Sequence, residues 1–285
     1  MMIDTHLHII DRTRLSYPWL AGVPALDRDF PYAAYERDAL RAGISGALHM
    51  EVDVAPKDIE REIAFVEEVA AQEGNLLRGA IAACRPEDPG FPAFLEKQLN
   101  NPFVKGFRRL INPLPEDVAS SKIFLGNIGR LAGTGLTFDL HVQGHQLARA
   151  MLVADSAPEV QFVLDHCGVP DIKANAMHPW REDISKLAKR PNVMAKMSGV
   201  VAYGDGENWS VETLKPWVEH VSDSFGWGRV VWGSDWPVCT LGGGLLAWVA
   251  ATHALVSGCG NDEREKLLWR NADRLWRLGL APQSP

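Results

Sequence analysis

Ile3-Asp4-Thr5-His6-Leu7-His8 begins the patterned part of the chain, and its reading decides the fold. Successive side chains of a β-strand point to opposite faces. His6 and His8 therefore share one face, with Asp4 on it and Ile3 and Leu7 on the other. Two imidazoles converging on one point are what a metal ion or a polar substrate needs. Working outward, apolar strand-like runs recur at 2–8, 46–51, 77–83, 104–108, 137–142, 161–166, 193–198 and 230–235. Between them lie helical patterns: 58–72 carries Ile59, Ile63, Val66 and Ala70 on one stripe. Stretches 121–131, 146–155, 182–189, 211–225 and 245–256 read alike, with a closing helix over 263–278. The strand ends recur at the roughly 30-residue interval of a βαβ unit. Eight such units predict an α/β chain forming a single (β/α)8 barrel, one domain over 1–285. A doubly wound sheet would need a glycine-rich turn after the first strand, and none follows. Residues 281–285 are expected to fray.

Composition narrows the function classes. The chain is 46% hydrophobic and 23% charged, with net charge −7 and no basic run, so no nucleic-acid partner is expected. No apolar run reaches about 18 residues and no charged-apolar-small leader is read, so neither membrane span nor signal peptide is expected. Cys84, Cys167, Cys239 and Cys259 lack paired spacing, which reads as reduced thiols in a cytoplasmic protein. The partner expected is a small molecule, with room left for a homo-oligomer.

In a (β/α)8 barrel the chemistry gathers at the C-terminal strand ends. His6 and His8, His141, His166 and Asp235 end strands one, five, six and eight. Three histidines and a carboxylate suit a zinc-type site with an open water position. Arg108 ends strand four facing inward and could fork onto a substrate carboxylate, a structural ion pair being the alternative. His49 and Glu51 share a face near the end of strand two and could meet substrate hydroxyls, a structural polar pair being the alternative. Trp19 and Trp236 sit on loops expected at the barrel mouth and could cover the substrate, packing between loops being the alternative. Ser234 lacks a nucleophile elbow.

Several of these segments carry a resemblance. IDTHLHIID at 3–11, YPWL at 17–20, LDRDF at 26–30, VKGFRR at 104–109, FVLDHCGVP at 162–170, NVMAKMSG at 192–199, VVWGSDWPVC at 230–239 and RNADRLWRL at 270–278 resemble the amidohydrolase superfamily. The closest likeness is to the amidohydrolase-2 group and its sugar-lactonase branch. The resemblance implies a hydrolase opening γ- or δ-lactones of sugar acids or related carboxylated lactones. It also implies one divalent metal, zinc by donor type, on His6, His8, His141 and Asp235. Many lactonases of this branch look metal-independent and lack the strand-five histidine, so activity without metal is the other expectation. His141 moves the chain toward metal-dependent decarboxylases and hydratases of aromatic or unsaturated acids. In the lactonase reading Asp235 handles the water proton and His166 polarises the carbonyl.

Overall fold

A computed structural model describes residues 1–206 and 208–280. The eight expected strands form one parallel sheet in chain order: β1 (Ile3–Leu7), β2 (Gly46–Met50), β3 (Leu77–Ala83), β4 (Val104–Leu110), β5 (Thr137–His141), β6 (Gln161–Leu164), β7 (Val193–Met197) and β8 (Val230–Trp232). The barrel closes where Leu7 bridges Trp236. There the Asp235 N–H donates to the His6 carbonyl (2.8 Å) and the His8 N–H to the Trp236 carbonyl (2.7 Å). Helices cover the sheet, among them Tyr32–Arg41, Ile59–Ala70, Trp180–Leu187, Val211–Phe225 and Leu245–Leu255. The fraying expected at 281–285 falls outside the described residues. No described helix is long and apolar enough to cross a membrane.

Two apolar clusters divide the interior. The larger lies between strands and helices, and Leu7, Phe107, Phe138 and Leu140 belong to it. The smaller fills the barrel itself: Ile3, Leu48, Met50, Ile81, Val163, Met194 and Val231. Trp276, on the last helix (Asn271–Trp276), joins that inner cluster from below. Its indole N–H donates to Thr137 Oγ1 at 3.1 Å, which ties the plug to β5.

Strands β6 and β8 stop earlier than the apolar runs suggest. The backbone turns left-handed at His166 (φ 52°), Cys167 (55°) and Asp235 (58°). Such conformations cost about 1–2 kcal/mol for L-residues and cluster where a side chain must be re-aimed. Here they swing consecutive residues into the barrel mouth.

Candidate active site

The first strand departs from simple alternation. Its pairing with β2 shifts register between Asp4 and Leu7. The irregularity lets Ile3 face the inner cluster while His8 lines the mouth cavity; His6, expected there too, is fully buried behind it and reaches the site only through Asp235. Asp4 is the correction: it does not accompany the histidines. Its carboxylate accepts from Tyr35 Oη of the covering helix (2.9 Å) and from the Ser234 N–H (2.7 Å). Ser234 is thereby fixed as a link between β8 and β1, with no free role in chemistry.

At the mouth, His8, His141, His166, Arg108, Trp19 and Asp235 line one cavity of about 190 Å³, together with Ile10, Val52, Asp53, Leu110, Tyr203, Pro237 and Val238. Asp235 Oδ1 lies 3.4 Å from His8 Nε2 and 3.7 Å from His6 Nε2. Its Oδ2 lies 3.9 Å from His166 Nδ1 and has no hydrogen-bond partner. Burial raises the Asp235 pKa above the usual carboxylate value.

The tautomer of His8 follows from its neighbour. Nδ1 lies 2.9 Å from the Met50 carbonyl, an acceptor, so Nδ1 carries the proton. Burial, then Arg108, lowers the His8 pKa to about 3, so the ring is neutral. Its Nε2 lone pair then faces a carboxylate oxygen. Two acceptors at 3.4 Å repel unless a cation, a proton or a water lies between them. The donor set His6, His8 and Asp235, mutually within 4.8 Å, therefore fits a divalent cation with open coordination positions. A second grouping, His6, Asp165 and His166, fits worse. Asp165 is already held by Lys196 Nζ (3.0 Å) and Arg108 Nη1 (3.2 Å).

Beneath the mouth lies a buried ionic layer. Lys196 Nζ sits 2.5 Å from Asp139 Oδ2, 3.0 Å from Asp165 Oδ1 and 3.3 Å from His6 Nδ1, all fully buried. Burial alone would raise the Asp165 pKa, but Lys196 and His6 outweigh it and hold the carboxyl well below its usual range. On the other side of His6, Arg108 Nη1 is 3.3 Å from Nε2.

Not every residue singled out from the sequence reaches the cavity. His141 lines it, but stands outside the His6–His8–Asp235 grouping; its Nδ1 is 3.8 Å from Asp165 Oδ2 and unpaired. Arg108 takes the alternative role: Nε donates to Glu51 Oε1 (2.6 Å), Nη2 to the Glu51 carbonyl (2.7 Å) and Nη1 to Asp165. Glu51 is thus spent on Arg108 and does not line the cavity. His49 faces away, because Leu48 and Met50 occupy the inner face of β2; it meets Glu62 of the covering helix at 3.5 Å. Trp236 packs against Phe30 and Tyr35 instead of the cavity. Trp19 does line it, its indole donating to the Val52 carbonyl at 2.8 Å. Cys167, with a thiol pKa pushed by burial to about 12, is no nucleophile.

Asp165, Asp139, Asp53 and Tyr203 fall outside the set that strand-end position picks out, and Lys196 reads from sequence as either a substrate contact or a structural group. Alternation puts Asp165 opposite His166; the left-handed turn at His166 brings both inward. Lys196 and Asp139 lie one layer below the strand ends, where a buried charge in the middle of an apolar run was the available signal.

Comparison with known proteins bears on the fold and the family. An L-fucono-1,5-lactonase of Burkholderia ambifaria is 26% identical, over 97% of this chain and 95% of its own. A zinc-bound amidohydrolase of Burkholderia multivorans superposes with TM-score 0.87 at 23% identity, covering 97% of this chain and 99% of that one. A putative 2-pyrone-4,6-dicarboxylic acid hydrolase of Pseudomonas putida superposes with TM-score 0.76 at 20% identity, covering 98% of each chain. The amidohydrolase family profile matches residues 3–278, nearly the whole barrel with its strand-end histidines and aspartate, and the chain belongs to that family of hydrolases.

Proposed function

We propose that the protein, as one catalytic domain, hydrolyses uncharged γ- or δ-lactones of sugar acids. The observation that carries this reading is the state of Arg108. Nε and Nη2 donate to Glu51 and Nη1 to Asp165, so the guanidinium is committed to two buried carboxylates of the protein and not to a substrate carboxylate. Among the described residues, no Lys and no other Arg lines the cavity. His8 and His166 are neutral, their pKa values lowered by burial to about 3 and about 4. The acids in the wall among the described residues are Asp53 and Asp235. A carboxylated ring would meet like charge there, whereas sugar hydroxyls find acceptors. Named lactonase relatives support the same class.

The chain's own groups supply the steps. Asp235 accepts a proton from a water aimed at the lactone carbonyl, and that water forms the new C–O bond. The ring C–O bond then breaks, and Asp235 returns the proton to the leaving ring oxygen, giving a hydroxy acid. Ser198 Oγ, 2.9 Å from His166 Nδ1, can donate to it and leave Nε2–H for the carbonyl oxygen. Trp19 and Val238 cover the opening and limit competing water. We propose one divalent ion, zinc by donor type, which His6, His8 and Asp235 would hold. When bound it would lower the pKa of a coordinated water toward about 7.

Two measurements test this. In weakly buffered pH indicator, neutral aldonolactones are expected to be opened at least about 100-fold more efficiently, as kcat/KM, than lactones or pyrones carrying a free carboxylate. The reverse preference removes the Arg108 argument. Elemental analysis after mild purification is expected to find close to one equivalent of zinc. If stripped protein keeps full activity and added zinc changes nothing, the ion has no catalytic part. Decarboxylation is the second reading, favoured by His141 in the cavity. Carbon dioxide release from hydroxybenzoates, with no lactone opened, would establish it instead.

A further inference from the structure

Tyr203 ends a one-turn helix, Val200–Tyr203, immediately after β7, and lines the cavity beside His166 and Asp235. Its ring centroid lies 5.6 Å from that of His166, inclined at 55°. Gly199 makes this approach possible. It adopts φ +68°, and a Cβ there would stand 2.6 Å from His166 Nδ1 and 2.8 Å from Tyr203 Cε2. Any side chain at 199 would force the two rings apart. The phenol hydroxyl has no hydrogen-bond partner among the described residues, although the hydroxyls of Tyr17, Tyr32 and Tyr35 each have one. A phenol left unpaired beside a base and an imidazole is a donor awaiting an acceptor. A phenol, with an ordinary pKa of about 10, keeps its proton at neutral pH.

Attack on a lactone carbonyl builds negative charge on the carbonyl oxygen. Arg108 is anchored elsewhere: three of its five N–H groups are committed to Glu51 and Asp165. One neutral imidazole N–H is a single donor, and oxyanion sites normally present two or more. We infer that Tyr203 is a catalytic residue whose phenol O–H donates to the lactone carbonyl oxygen as it becomes an oxyanion, beside His166. This inference rests on the lactone-hydrolase reading.

The test compares wild type with Tyr203→Phe on the best neutral lactone of the panel. Removing one oxyanion donor is expected to lower kcat about 10²–10³-fold. KM should stay within about threefold, since the interaction strengthens only in the transition state. Binding of a cyclic phosphonate, which mimics the tetrahedral anion, should weaken in parallel. Binding of the cyclic ether that lacks the carbonyl should not change. Thermal unfolding of both proteins controls for misfolding. Tyr203→Phe with more than about a third of wild-type kcat overturns the role. So does equal weakening toward phosphonate and ether, which would mark Tyr203 as a packing surface. A wild type that opens no lactone overturns the functional reading itself, a result distinct from an active wild type with an unaffected variant.

Discussion

Asp235→Asn is expected to lower lactone turnover about 10²–10⁴-fold, the usual loss for a positioned general base. The amide keeps the shape of the side chain but cannot take a proton from water. Stability should move the other way. Asp235 Oδ1 faces the unprotonated Nε2 of His8 at 3.4 Å, and Oδ2 is unpartnered. An amide N–H in that place would donate to His8 and relieve the repulsion. The apo-protein variant should therefore melt no lower than wild type, as expected where a site carries strain for the sake of activity. Steady-state kinetics and thermal unfolding on the same preparation check both arms. A variant keeping more than about a tenth of the wild-type rate would show that the base lies elsewhere.

The second large effect concerns the layer beneath. Lys196→Met is expected to destabilise the fold by about 3–5 kcal/mol, because it strips the cation from carboxylates that stay buried. Asp139 and Asp165 are both fully buried and sit 2.5 and 3.0 Å from Lys196 Nζ. Methionine matches the stem of lysine, so lost packing contributes little. Urea unfolding followed by tryptophan fluorescence measures the change. Adding Asp139→Asn to Lys196→Met should recover part of the loss, since one orphaned charge disappears. A single variant within about 1 kcal/mol of wild type would mean that the layer is neutralised by another route.

Much of this was legible in the chain. The period of the apolar runs gave eight strands and the barrel, and strand-end position alone brought His8, His141, His166, Arg108 and Asp235 to one cavity. What alternation misassigned has a common cause. A side-chain period of two holds only while a strand stays regular. The register shift in β1 moves Asp4 onto Tyr35, and the left-handed residues after β6 bring Asp165 and His166 inward together. Counting from a strand end does not fix which face of β2 is inner; Leu48 and Met50, filling the barrel, put His49 on the outer one. The pairing of Arg108 depends on Glu51 and Asp165, each 57 residues away, and no local pattern encodes such a meeting.

The closure between β1 and β8 bears on how the protein is made. Thr5 bonds to Trp232 across 227 positions, and Asp4 to Ser234 across 230. Trp276, the plug below, arrives later still. During synthesis the ribosome therefore exports the two strand-one histidines long before the residues that seal them in. The mouth of the barrel is completed by β8, the last of the eight strands to be translated. Such distant contacts slow folding and leave β1 with an open edge meanwhile. The buried aspartate on that strand, Asp4, places a charge on the waiting edge. A charge there discourages pairing with another chain until β8 arrives.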